Sequence, residues 1–176
     1  DWWWFREIGY QIVYTRPLIA QGLLFLAAGG VTAGVLYLNL RSAQRGLVPG
    51  PIVLRIGQAM PKVDLTELLR RLSLPVSLVF GVLAGIGAAQ FWQPLLQALY
   101  RTPFGIADPV FSRDVGFYVF TLPALTAVIG FLYGLANLCL WLLVPLYWLR
   151  GDLVLSPPRR LLVEPSAGLH LAILLA

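Results

Sequence analysis

Few side chains in this sequence could perform chemistry, and the most versatile of them is a lone histidine. His170 is the only histidine and Cys139 the only cysteine, so these residues form neither a metal cluster with soft ligands nor an internal disulfide. A single histidine can still ligate a haem iron or a chlorophyll magnesium. The alternative is a polar residue near a membrane interface. His170 is therefore the one candidate cofactor-binding residue; no cofactor or metal is predicted, and contact with a haem or pigment stays open.

A second group of ionisable side chains lies in the stretch DPVFSRDVGFYVFTLP. Asp108, Arg113 and Asp114 could be imagined as an acid–base group. No nucleophile, histidine or phosphate-binding glycine loop accompanies them in the sequence. They are more typical of turn and cap residues joined by one ion pair, with Asp114 as the N-cap of a following helix. The sequence therefore predicts no catalytic residues and no enzymatic activity.

A third polar group consists of three glutamines at helical spacing. Gln90, Gln93 and Gln97 share one face near the end of an apolar segment. Such a stripe could line a water-filled path. The alternative is that it faces lipid headgroups or hydrogen-bonds to neighbouring helices.

The elements that carry these residues are predicted from composition. Hydrophobic residues make up 59% of the chain and charged residues only 12%, whereas soluble domains carry about 25% charged residues. The chain has too few charges to cover a soluble core, so its principal partner is predicted to be the lipid bilayer. Basic residues lie between apolar segments and not among aromatics in a soluble domain, which argues against nucleic acid as a partner.

Three charge-free stretches are long enough to cross a bilayer, which needs about 20 apolar residues in a helix. The third is too long for one span, and Pro123 is predicted to separate a short interfacial helix, DVGFYVFTL, from the span proper. A fourth apolar run stops after 12 residues, as a truncated span would. The predicted fold class is all-α, a polytopic transmembrane helical bundle of three complete spans and a truncated fourth, with short interfacial helices. The predicted spans cover about 17–40, 72–100, 123–149 and 165–176.

Each complete span also contains two glycines four residues apart, a spacing that lets helix backbones approach closely. These pairs predict tight packing within the bundle. They are Gly30 with Gly34, Gly81 with Gly85, and Gly130 with Gly134.

The basic residues predict the orientation. Of the 13 Lys and Arg residues, nine fall in loops 41–71 and 150–164 and four in 1–16 and 101–114. The positive-inside rule places the first two loops in the cytoplasm and the other two segments outside the bacterial inner membrane. Within 41–71, Asp64 and Glu67 form a capping-box pattern before leucines at helical spacing. This pattern indicates either an amphipathic helix on the inner membrane surface or an early start of the second span.

Aromatic residues collect in the two segments that this count places outside. One group lies in the interfacial segment 101–122 and the other begins the chain. Rings of this kind form belts at membrane interfaces. The alternative is that they dock another protein, a lipid or a pigment. The candidate contact residues are Trp2, Trp3, Trp4, Phe111, Phe117, Tyr118 and Phe120.

The stretches DWWWFREIGY and DPVFSRDVGFYVFTLP, each before an apolar span, resemble the bacterial uncharacterised protein family 0182. This resemblance covers the whole chain and implies the N-terminal membrane region of a large membrane protein with a big extracytoplasmic domain. It implies no activity. The missing initiator methionine and the short fourth run likewise predict an internal piece of a longer polytopic protein.

Three functional hypotheses follow. The first is a non-enzymatic scaffold or accessory subunit of a larger membrane complex, with other membrane subunits as partners. The second is a transporter or channel component whose ionisable residues lie elsewhere, since no Asp, Glu, Lys or Arg lies inside a predicted complete span. The third is an accessory subunit of a pigment-bearing or electron-transfer complex, which rests on His170 and the aromatic residues.

Overall fold

The helices confirm the all-α prediction. The computed structural model describes residues 2–45, 53–54, 63–150, 153–156 and 160–175. Within these residues, three helical segments are long and apolar enough to cross a membrane: Gln11–Gln44, Leu68–Ala89 and Phe117–Trp148. The helices are α1 (Trp2–Glu7), α2 (Gln11–Arg45), α3 (Leu65–Ala89), α4 (Trp92–Leu99), α5 (Leu122–Arg150) and α6 (Pro165–Leu175).

The chain divides into two compact units. The first comprises Asp1–Thr32 and Phe80–Tyr133, and the second Ala33–Val79 and Gly134–Ala176. Helices α2, α3 and α5 each contribute residues to both units. The first unit also holds α1, α4 and the connection from α4 to α5, while the second holds α6 and four short strands.

Helix α2 begins at Gln11, upstream of the predicted start at residue 17. Gly9, with φ of 75°, separates it from α1. The N–H of Gly9 bonds to the carbonyl of Arg6 and that of Tyr10 to the carbonyl of Phe5, the bonding pattern of a glycine-terminated helix. Pro17 lies inside α2, where its missing N–H removes only one helical bond.

Helix α3 distinguishes between the two interpretations of the leucine-rich stretch. It runs from Leu65 to Ala89 without interruption, so this stretch is the beginning of the second long helix and not a separate one. The side chains of Asp64 and Glu67 lie outside the described part, and the capping box stays a prediction.

The predicted span over 72–100 differs from the structure at its end, because the chain turns between α3 and α4. The N–H groups of Gln90 and Phe91 bond three residues back, to Gly87 and Ala88. Pro94 explains the break. In a continuous helix its ring would clash with the carbonyl of Gln90, whereas in the first turn of α4 it is tolerated.

Pro123 does not separate an interfacial helix from the third span, which corrects the prediction. The chain is helical from Val115 onward and passes through a π-helical turn, Phe117–Thr121, directly into α5. The N–H of Leu122 bonds to the carbonyl of Phe117, five residues back. A π turn widens the helix ahead of a proline that can neither donate a bond nor fit against the carbonyl four residues earlier.

Four short strands were not predicted. Strand β1 (Val53–Leu54) pairs with β2 (Val63–Asp64), and β3 (Leu153–Ser156) pairs with β4 (Arg160–Val163), both antiparallel. They occur in the connections that the sequence assigned to loops 41–71 and 150–164. Two-residue and four-residue strands carry too little periodic pattern to be recognised in a sequence.

One close helix contact supports the first unit. A Cβ atom on Gly29 would lie 2.9 Å from the Gly81 carbonyl oxygen, and one on Gly85 would lie 2.7 Å from that of Phe25. The pair Gly81 and Gly85 on α3 therefore packs closely against α2, as predicted, where it contacts Gly29 and Phe25. At the glycines of the other two predicted pairs, an added Cβ would meet no described atom within 4 Å, so these glycines bring no two described backbones together: Gly30, Gly34, Gly130 and Gly134.

Candidate functional site

The connection from α4 to α5 is held by two carboxylates, of which Asp114 is the first. Its Oδ1 accepts the N–H of Gly116 at 2.7 Å and that of Phe104 at 3.2 Å, and its Oδ2 accepts the N–H of Gly105 at 2.8 Å. The bond to Gly116 confirms Asp114 as an N-cap. The N–H groups of Phe104, Gly116 and Gly105 and the charge of Arg101 lower the pKa of Asp114 below its usual 3.8, against an opposing effect of burial.

Asp108 holds the other half of this connection. Its Oδ2 accepts the N–H of Phe111 at 2.7 Å and the hydroxyl of Tyr118 at 3.1 Å. The backbone closes the same turn, because the N–H of Asp108 bonds to the carbonyl of Arg113 and the N–H of Ser112 to that of Asp108. Both carboxylates thus serve as acceptors for turn and cap groups. In the described chain, Arg113 has no carboxylate partner and lies over the Phe117 ring at 5.4 Å, so the predicted ion pair is wrong.

This turn presents apolar side chains at its tip. Val110 is 75% exposed and Phe111 is 72% exposed. Ile106, at the base, is also exposed, and the N–H of Val115 bonds to its carbonyl at 3.0 Å. We call residues 106–113 the outer turn, after the side of the membrane that the basic residues predict. It is a hydrogen-bonded element that carries exposed hydrophobic residues at its tip.

The other predicted aromatic contacts of this segment take part in packing. Phe117 and Tyr118 are half-buried and meet edge to face, with centroids 5.4 Å apart. Phe120 stacks on Phe104 at 5.8 Å. Of the four candidates here, Phe111 alone is exposed.

The tryptophans at the start of the chain lie on α1. Trp2, Trp3 and Trp4 are all exposed, and Arg6 lies over the rings of Trp2 and Trp3 at 5.5 and 5.6 Å. Phe5 reaches α2, where its ring lies 5.6 Å from that of Tyr14. The exposed tryptophans with an arginine beside them are typical of an interfacial segment.

His170 lies in the second unit, in a chain of hydrogen bonds. Its Nδ1 lies 2.7 Å from the Tyr147 hydroxyl, and its Nε2 lies 2.8 Å from Asn39 Oδ1. The amide nitrogen of Asn39 donates to the Val35 carbonyl at 2.8 Å. Asn39 Oδ1 is therefore an acceptor, so Nε2 carries the proton and Nδ1 accepts from Tyr147. A haem iron or chlorophyll magnesium would have to displace one of these bonds.

Several functional features were not recognisable in the sequence. Nothing in the spacing of Asn39 and His170, which are 131 positions apart, indicates their contact. Nor does the sequence indicate the close contact at Gly29, because the four-residue spacing selects its neighbour Gly30. Among the described residues, no cluster of three His, Cys, Asp or Glu side chains is arranged to hold a metal ion.

Comparison with known proteins gives one family. Its profile, described as Uncharacterised protein family (UPF0182), matches residues 1–176. The chain is 37% identical over 175 residues to a UPF0182 protein of Cupriavidus necator, covering 97% of this chain and 19% of that protein. It is 37% identical over 180 residues to one of Pelobacter propionicus, covering 99% and 20% respectively. The chain thus spans about one-fifth of the length of these relatives. No solved structure matches.

Proposed function

Because this chain belongs to the uncharacterised protein family UPF0182 and contains three helices able to span a membrane, we propose that it is part of a non-enzymatic membrane scaffold. In this proposal its helices form a fixed frame, and the outer turn docks a polypeptide of the same membrane complex. The protein lies in the bacterial inner membrane with the outer turn on the extracytoplasmic side, as the distribution of basic residues indicates.

The observation that carries the proposal is an apolar tip on a turn that both carboxylates keep ordered. A flexible loop would lose conformational freedom on binding, and that loss would weaken the complex. Here Asp108 and Asp114 already fix the backbone on both sides of Val110 and Phe111. Exposed aromatic residues on a rigid support are typical of the anchors of protein interfaces.

The other two functions have less support. The buried polar side chains among the described residues are Thr32, Ser73 and Ser77, and none of them ionises at neutral pH. Transporters commonly use ionisable groups in the membrane, so no observation here favours a transporter or channel. Both ring nitrogens of His170 already have partners, and nothing in this region favours a pigment-bearing or electron-transfer complex.

Photocrosslinking tests the docking role in the full-length protein in its native membrane. Phe111→p-benzoylphenylalanine places a photoreactive group at the exposed tip. We expect a crosslink to one polypeptide of defined mass, and we expect Val110→Asp to abolish it. In spheroplasts, labelling of Val110→Cys by an impermeant maleimide first checks that the tip faces outward, and the same protein without this substitution serves as the blank.

The matched control carries the same photoreactive residue at Leu26. This side chain is 69% exposed in the middle of α2, where lipid is the expected neighbour. Lipid adducts alone at both positions would show that the outer turn inserts into the headgroup region, and the scaffold proposal would then lose its supporting observation.

A further inference from the structure

A shallow, open cavity lined by both polar and apolar side chains lies in the first unit, beside the helix ends that border the outer turn. Its volume is about 590 Å³. Two arginines, two glutamines and a threonine supply its polar lining: Arg16, Arg101, Gln93, Gln97 and Thr102. The rings and side chains of Trp92, Leu96 and Phe120 supply apolar walls.

Among the residues that the structure describes, few partners occupy the hydrogen-bond donors of the two arginines. Arg101 Nη1 donates to the Thr121 hydroxyl at 2.6 Å, which uses one of the five N–H donors of a guanidinium. Arg16 lies over the Tyr100 ring at 5.2 Å, a contact that uses the face of the guanidinium and leaves its N–H edge unused. In the described part of the chain, neither arginine forms a salt bridge with a carboxylate.

Asp114 offsets only part of the positive charge at this cavity. Asp114 is close enough to Arg101 for the charge of the arginine to lower its pKa, but its oxygens accept three backbone N–H groups and it is not part of the lining. Because both arginines line the cavity, an anion bound there would be attracted by two positive charges.

We propose that this cavity binds a phosphate group, that of an anionic phospholipid or of a soluble phosphate ester. Guanidiniums bind phosphate oxygens through paired N–H donors, and the amides of Gln93 and Gln97 add further donors. Trp92, Leu96 and Phe120 offer an apolar surface to the rest of the ligand. The site also gives a role to the glutamine stripe and to two of the four basic residues on the sparsely charged side.

Calorimetric titration of the full-length protein in detergent micelles tests the proposal with three probes. Dioctanoyl phosphatidylglycerol presents phosphate and acyl chains, glycerol 3-phosphate presents phosphate alone, and dioctanoylglycerol presents acyl chains alone. We expect Arg16→Gln and Arg101→Gln each to weaken binding of the phosphatidylglycerol about tenfold or more, because hydrogen bonds to charged groups are the strong ones. The matched control is Arg113→Gln, which removes the same charge from the outer turn but not from the cavity lining.

Arg16→Gln keeps the test valid if Arg101→Gln loosens the fold, because Arg16 makes no described hydrogen bond. A melting temperature for each variant monitors folding. Tighter binding of the phosphatidylglycerol than of glycerol 3-phosphate supports a lipid headgroup, and equal affinities support a soluble phosphate ester. Equal binding of dioctanoylglycerol, or an effect of Arg113→Gln as large as that of Arg16→Gln, would overturn the proposal.

Discussion

The close contact of α2 with α3 predicts opposite effects for the same substitution at two adjacent glycines. A Cβ on Gly29 would lie 2.9 Å from the carbonyl oxygen of Gly81 and 3.6 Å from the Cα of Gly85. A backbone oxygen cannot rotate away, so the helices would have to separate. A Cβ on Gly30 would meet nothing within 4 Å. We therefore expect Gly29→Ala to destabilise the protein and Gly30→Ala to be neutral or stabilising.

The size of the difference follows from two contributions. Replacing glycine by alanine in a helix favours the helix by about 1 kcal/mol, and this contribution is common to both variants. Overpacking a close contact costs about 1–3 kcal/mol, and only Gly29→Ala incurs this cost. The free energy of unfolding of Gly29→Ala should therefore lie about 1–3 kcal/mol below that of Gly30→Ala.

Equilibrium unfolding in mixed micelles, titrated with dodecyl sulfate and followed by circular dichroism, measures this difference. Gly85→Ala and Gly87→Ala on α3 repeat the comparison, since a Cβ on Gly85 would lie 2.7 Å from the Phe25 carbonyl oxygen and one on Gly87 would meet nothing within 4 Å. If both members of each pair unfold at the same denaturant concentration, the close approach does not stabilise the bundle and the reasoning fails.

Two further predictions concern the polar clusters. Because the pKa of Asp114 is lowered in the folded protein, its carboxylate stabilises the fold at pH values above its usual pKa of 3.8, and this stabilisation is lost as the pH falls through the lowered pKa. Melting temperatures measured from pH 6 to pH 2 should therefore decline less steeply for Asp114→Asn than for the parent protein. Parallel curves would contradict the assignment. Tyr147→Phe removes the donor to His170 Nδ1 and should lower the free energy of unfolding by about 0.5–1.5 kcal/mol. In the same dodecyl sulfate titration, Tyr10→Phe, at an exposed tyrosine, should leave the free energy of unfolding unchanged. Equal effects of the two substitutions would show that the bond to the histidine does not stabilise the fold.

The three long apolar helices could be predicted from the sequence because the physical signal is large and local. A charge-free stretch of sufficient length has few alternatives to a membrane helix. The helix boundaries were harder to predict, because prolines act through their context. Pro94 ends α3 by excluding a carbonyl four residues earlier, while Pro123 is accommodated by a π turn and Pro145 lies inside α5.

The candidate site was predicted in part. The connection from α4 to α5 was selected from its aromatic residues, and Asp114 was recognised as a cap because capping is a local property of the chain. The exposure of a side chain, by contrast, depends on contacts with residues distant in the sequence. Phe111 is exposed whereas Phe120 stacks on Phe104, and the sequence gives no way to distinguish the two rings. The same limit applies to Arg16 and Arg101, which are far apart in the sequence but line one cavity.

The charged side chains around the α4–α5 connection differ in how many hydrogen-bond partners they already have within the chain. This difference separates the carboxylates that hold the backbone from the arginines that can bind a ligand. Asp114 accepts three N–H groups within the chain, and Asp108 accepts two groups on one oxygen. Such carboxylates hold the backbone, and binding a ligand would cost them these bonds. Toward the described residues, Arg101 uses one donor of five, and Arg16 uses only the face of its guanidinium. Binding an anion would cost the arginines little, so an anionic ligand is expected at the cavity, while the carboxylates of the turn keep their structural role.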